Sequence, residues 1–206
     1  MEILEKTQIY VKEKMCQNDV AHDYNHVMRV LNNANMIAKN YQKCDSFILK
    51  MTILLHDIED KKLKTATNSN VKKFLESLNL DNKIIDIILN NIATISFSKN
   101  PNLNNNISLE AKIAQDADRL DAIGAIGVAR TFAYGGSKNH PFYDTDDKYP
   151  NTLQHFHEKL FHLHNLLNTP EAKEISKERT NFLITFYKQF CNEAGLEINN
   201  IPSKLQ

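Results

Sequence analysis

Charge of one sign is the first thing this sequence lacks. Lys plus Arg and Asp plus Glu number 25 each, so the net charge is zero. A dedicated nucleic-acid binder carries a basic excess, and no nucleic-acid partner is expected. No apolar run approaches the roughly 18 residues that a membrane span needs. Cysteine is scarce: Cys16, Cys44 and Cys191 are widely spaced and form no CxxC pair. That pattern suggests neither a disulfide framework nor a cysteine zinc site. The stretch from Met1 to Lys6 lacks the charged-then-apolar design of a secretory signal. A reducing cytoplasm is the expected compartment. Glycine and proline number five each, and Pro101, Pro141, Pro150, Pro170 and Pro202 all fall in predicted loops, boundaries or the tail. Arginine is confined to Arg29, Arg119, Arg130 and Arg179. In a lysine-dominated chain, an arginine points to a place that wants a planar, forked donor.

What is present is a soluble, globular composition, 42% hydrophobic and 24% charged. Apolar residues recur at helical spacing. Helices are predicted over residues 2–16, 23–41, 46–58, 70–79, 81–95, 108–133, 151–167 and 171–194, with loops at 98–106 and 134–150. Ile84–Leu89 has strand propensity, yet its apolar spacing continues in helical phase through Ile92 and Ile95. The fold class is therefore all-α, a compact bundle of roughly eight helices. There is no internal repeat and no linker. A single domain over residues 1–206 is expected, with a core at about 20–135 and C-terminal helices at about 151–194 packed on it.

The chemistry begins at Leu54-Leu55-His56-Asp57-Ile58. The segment Phe47–Leu55 is apolar almost all round, so its helix should be buried. A carboxylate at the end of such a helix needs compensation, because burying it alone costs several kcal/mol. A cation that accepts imidazole nitrogen and carboxylate oxygen together is one solution. A satisfied core histidine beside a solvent-facing aspartate is the other. Upstream, Asp23 is a plausible N-cap, which puts His26 in the first turn on the face of Val30, Asn33 and Ile37. Such a residue is either an ordinary core histidine or a ligand. Downstream, Gln115–Ala122 holds three aspartates. At about 100° per residue, Ala111, Ala114, Ala122, Ala125 and Ala129 fall within about 40° of Asp118. Asp121 lies about 60° away and Asp116 about 160° away. A continuous helix therefore predicts Asp118 buried and Asp116 outward.

Four ordered segments carry a resemblance: His22–Val30, Leu54–Lys62, Ile95–Lys99 and Gln115–Gly127. Phe132–Gly136 and His155–Leu160 also fit. Together they resemble the HD-domain superfamily of metal-dependent phosphohydrolases, in its YpgQ- and YedJ-like branch of small single-domain bacterial proteins. The likeness covers roughly residues 20–190. It implies His26, His56, Asp57 and Asp118 as metal ligands. Two nitrogens and several hard oxygens suit Mn²⁺ or Mg²⁺, with Fe²⁺, Co²⁺ and Ni²⁺ as alternatives. One ion is expected, because no second carboxylate-rich ligand set is evident.

Around that ion, Asp60, which matches the family motif, and less so Glu59, are the candidates to position or deprotonate the attacking water. Lys62 is grouped with them as a charge-neutralising residue. His22, Arg29, Lys99, Arg119 and Asp121 are candidates to line the substrate path, Arg119 with the alternative of bracing Asp121 or Asp57. The resemblance implies hydrolysis of a phosphate ester or anhydride, a nucleoside or deoxynucleoside triphosphate first. The alternative is a non-catalytic nucleotide- or metal-binding sensor, against which the intact ligand set and Asp60 speak. A helical scaffold would have no use for two buried His and two Asp together. A di-iron oxygenase would need further His and Asp ligands. The sequence leaves the oligomeric state open, a homodimer included.

Overall fold

The computed structural model describes residues 2–15, 23–58, 70–95, 107–145, 150–198 and 201. These residues form helices and no strand. The chain divides into two compact units, Met1–Asp118 and Arg119–Gln206.

The first unit is built around its most apolar segment. Helix α3 (Ser46–Leu55) packs against α1 (Ile3–Met15), α2 (Tyr24–Ala38) and α5 (Asn82–Ile95), and α4 (Asn70–Ser77) packs on α5. Leu49, Met51, Ile53, Leu54 and Leu55 of α3 are all buried. Of these, Met51, Leu54 and Leu55 meet Val11, Val27, Leu75, Ile85 and Ile88 in one core. Each such side chain contributes about 1.5–3 kcal/mol on burial. Local sequence sets the helix starts. Asp23 caps α2 by accepting from the amide of His26 at 2.8 Å. Asp45 caps α3 through the amides of Phe47 and Ile48 at 2.9 and 3.0 Å. The strand alternative for Ile84–Leu89 is rejected, since these residues lie within α5.

Helix α6 (Leu109–Asp121) is followed at once by α7 (Gly124–Ser137). The spacing predicts one helix over 108–133, but the structure breaks it at Ala122-Ile123. Gly124 has a φ of +76° there, a conformation that suits glycine. The carbonyl of Ala122 lies where a Cβ on Gly127 would fall. The chain therefore turns at Ala122-Ile123 over a backbone contact with Gly127 that only glycine permits.

The second unit packs α7 on α9 (Pro170–Ala194). Phe132 is its hub, with ring centroids of Phe142, Phe156, Phe186 and Phe190 at 5.3, 6.3, 5.7 and 5.6 Å. The predicted 151–167 helix is replaced by a five-residue α8 (Gln154–Glu158) and a 3₁₀ turn over Leu160–Leu166. Leu160 and Leu163 are both buried. Their three-residue spacing aligns on one face in 3₁₀ geometry, which has three residues per turn. Helix α9 has Thr169 as N-cap, Pro170 in the first turn and Gly195 in the left-handed conformation at its end. No helix among the described residues is long and apolar enough to cross a membrane.

Candidate metal centre

Three helices bring His26, His56 and Asp118 to one point of the first unit, and Asp57 stands beside the two imidazoles. His26 enters from the first turn of α2, where the Asp23 cap fixes the backbone and the buried face includes Val30, Asn33 and Ile37. His56 is the residue that ends α3, directly after the fully buried Leu55. Asp57 follows it, and Asp118 projects from α6. His26 Nε2 lies 3.4 Å from both Asp57 Oδ2 and Asp118 Oδ1. His56 Nε2 lies 3.4 Å from Asp57 Oδ2 and 3.9 Å from Asp118 Oδ1. Ligand atoms of His26, His56 and Asp118 all fall within 4.8 Å of one another, the one such group among the described residues. Donors that share a small cation at about 2.1 Å stand roughly 3 to 4 Å apart.

The donor chemistry fits a cation. His56 Nδ1 lies 2.7 Å from the carbonyl of Ile53. A carbonyl only accepts, so Nδ1 carries the proton, and Nε2 is the nitrogen left to offer a lone pair to a cation. That Nε2 is buried and has no hydrogen-bond partner. It faces two carboxylate oxygens that also offer only lone pairs. Such a convergence is unfavourable by itself and becomes favourable around a positive ion. Anchoring the far nitrogen on a backbone carbonyl is also how metal-binding imidazoles are oriented. The exposures grade outward: side chains of His26 and His56 are 1% and 4% exposed, Asp57 18% and Asp118 32%. The imidazoles form the floor, and Asp118 stands at the solvent side.

The three aspartates of α6 do not behave as a continuous one-faced helix requires. Asp116, expected outward, is completely buried, and Asp118, expected to be the buried one, is the most open of the three. The reason is that α6 is enclosed nearly all round, with Ile113, Ala114, Gln115, Asp116 and Ala117 buried in succession. Moreover Ala125 and Ala129, two members of the alanine stripe, are exposed residues of α7. Asp121, a candidate for the substrate path, is enclosed. It is 2% exposed and pairs with Arg130 at 2.8 Å. Arg179 donates to the carbonyl of Leu120 at 2.6 Å. Burial lowers the Arg179 pKa, with Asp121 and Glu178 opposing. Arg130 and Arg179 therefore anchor the α6–α7 corner, a role the sequence hinted at only through the rarity of arginine. Arg119 donates to the carbonyl of Leu166, and Arg29, one turn beyond His26, is half-buried. His22, Glu59, Asp60, Lys62 and Lys99 lie outside the described residues.

Other chemistries find less support. Burial pushes the Cys44 thiol up to about 11, with Glu110 and Asp45 adding to the effect, and Cys191 is buried; neither is an activated nucleophile. His157 and His164 are engaged with Tyr187 and Ser176 at 2.8 and 2.6 Å. A cavity of about 700 Å³ in the second unit has Asp144, Glu158 and Glu197 on its wall and, among the described residues, no lysine or arginine, the wrong sign for a phosphate.

Residues 23–123 match the HD-domain family. The chain is similar to the protein YpgQ of Bacillus subtilis, with 34% identity over 189 residues and 90% of each chain covered. A crystal structure of YpgQ in complex with ADP superposes with a TM-score of 0.74 at 30% identity, covering 92% of this chain and 97% of that one. A Lactobacillus plantarum protein of known structure gives 0.83 at 31%, covering 93% and 96%. An HD-superfamily hydrolase from Bacillus thuringiensis gives 0.73 at 36%, covering 94% and 97%.

Proposed function

The chain belongs to the HD-domain family, and from that premise we propose that it is a metal-dependent phosphohydrolase acting on a nucleotide. The observation that carries this reading is the buried Nε2 of His56, its lone pair fixed by the bond from Nδ1 to Ile53 and aimed between two carboxylates. His26, His56, Asp57 and Asp118 would hold one divalent ion, Mn²⁺ or Mg²⁺ first, with Fe²⁺, Co²⁺ and Ni²⁺ as alternatives. When bound, such an ion polarises a phosphoryl oxygen and makes a water more acidic. The chain's own residues supply the rest. The two carboxylates cancel the double positive charge, so the phosphates meet a centre that is neutral overall. Asp118, one-third open, leaves the solvent side for them to enter. Asp60, or secondarily Glu59, takes the proton of the attacking water, and Lys62 offsets charge on the transferred group. His22, Arg29, Lys99 and Arg119 are the proposed phosphate contacts. The crystallisation of YpgQ with ADP supports a nucleotide as the ligand. The reaction proceeds in the cytoplasm and needs neither nucleic acid nor membrane.

A screen of nucleotides with added Mn²⁺ or Mg²⁺, with products identified, tests this. Wild type is expected to release phosphate or pyrophosphate and His56→Ala to release none. Tight nucleotide binding without turnover under every metal would replace the hydrolase by the sensor reading. Asp60→Asn should keep the metal and lose about 10²- to 10⁴-fold in turnover, as expected for a missing general base. Loss of metal in that variant would make Asp60 a ligand.

A further inference from the structure

We propose that Asn33 is a positioning residue of the metal centre, one that holds α2 and α6 at the separation at which His26 and Asp118 share a cation. The inference rests on the metal-site reading above. Asn33 is 3% exposed and lies two turns beyond His26 on the same buried face of α2. Its Nδ2 donates to the carbonyl of Ala117 at 3.1 Å, across 84 residues of sequence. Ala117 is the residue directly before Asp118. The acceptor is a main-chain atom inside a helix, so its place is set by α6 itself and by no side-chain rotamer. The bond therefore fixes the distance from one helix to the backbone of the other. It does so beside the 3.4 Å approach of His26 Nε2 to Asp118 Oδ1.

The neighbouring contacts on this face cannot do the same. Val30, Ala34 and Ile37 are buried and apolar, and apolar packing is non-directional. It permits small sliding that a hydrogen bond, weakening steeply with distance and angle, resists. Metal–ligand distances tolerate only about ±0.2 Å. Asparagine is also a poor choice for packing alone. It is a weaker helix former than leucine, and it brings polar atoms into the core that must all be satisfied. An aliphatic residue would serve a merely structural contact better. The buried amide is explained if the spacing of α2 and α6 is what it controls.

The test compares Asn33→Leu with Ile37→Val, a control one turn further along the same face, in the full-length protein. The Mn²⁺ dissociation constant is measured by calorimetry and the Tm on chelator-treated protein. Asn33→Leu is expected to weaken Mn²⁺ binding by about 10- to 100-fold, the range for residues that orient metal ligands, while the metal-free Tm stays near wild type. Ile37→Val is expected to lower the metal-free Tm and leave Mn²⁺ affinity within about twofold. Should Asn33→Leu not fold, Asn33→Ser, too short to reach Ala117, is held to the same criteria. Mn²⁺ affinity within about twofold of wild type in the folded Asn33 variant overturns the proposal. So does a loss of affinity that tracks the loss of Tm equally in both variants. Wild-type protein that takes up no Mn²⁺ overturns the site reading first and this inference with it.

Discussion

At His56 a single hydrogen bond decides what the rest of the ring can do. With Nδ1 committed to Ile53, only Nε2 is left for a ligand, and replacing the ring removes a donor without disturbing the core behind it. His56→Ala is expected to abolish metal retention, and elemental analysis of the purified protein reads this directly; an unchanged metal-to-protein ratio would remove His56 from the site. The aspartates of α6 separate by the same kind of argument. Asp118→Asn should lose metal while the metal-free protein keeps its stability, because the side chain is one-third open. Asp116→Asn should do the reverse. It disturbs a fully buried carboxylate, for which a cost of about 1–3 kcal/mol is typical, and it leaves the ion in place. Metal titration and thermal melts on the two variants give both rankings. A metal loss confined to Asp116→Asn would transfer the ligand role to that residue.

Helices explain which of these residues were legible in the sequence. The inward direction of His26 follows from its place four, seven and eleven residues before Val30, Asn33 and Ile37, and the structure buries all four. The burial of α3 follows from its uninterrupted apolar run. The α6 aspartates were misjudged because phase arithmetic assumes one straight helix with one buried face. Here the helix is enclosed on most sides and ends at Asp121. The bond from Asn33 to Ala117 could not be read at all, since it joins residues 84 positions apart. The Asp121–Arg130 pair was hidden in turn by the unforeseen corner between α6 and α7. That corner makes its own prediction. Gly127→Ala places a methyl group on the Ala122 carbonyl and should cost about 1–3 kcal/mol, as overpacking does. A chain of this size loses roughly 2–4 °C in Tm per kcal/mol. Gly136→Ala, also in α7 but with open space around it, should be neutral or stabilising by up to about 1 kcal/mol. Equal melting temperatures for the two variants would show that the corner relaxes freely.

Across the whole molecule, an ion bound by the folded state alone stabilises it. At a hundredfold excess over its dissociation constant the gain is about 2.7 kcal/mol. Because all four candidate ligands belong to Met1–Asp118, hydrogen exchange should slow on adding Mn²⁺ in α2, at the end of α3 and in α6. Helix α9 should respond less, and His56→Ala should abolish the effect. Protection that rises uniformly through α9 would show that both units open together. The interruption at Ala122-Ile123 also bears on how such a chain can diverge. One residue deleted between Leu109 and Ala117 would swing Asp118 by about 100° around the helix and empty the site of a carboxylate. The same deletion after Gly124 falls beyond the break and leaves the azimuth of Asp118 untouched. Length variation among descendants of this gene should accumulate on the far side of that discontinuity, where it is invisible to the chemistry.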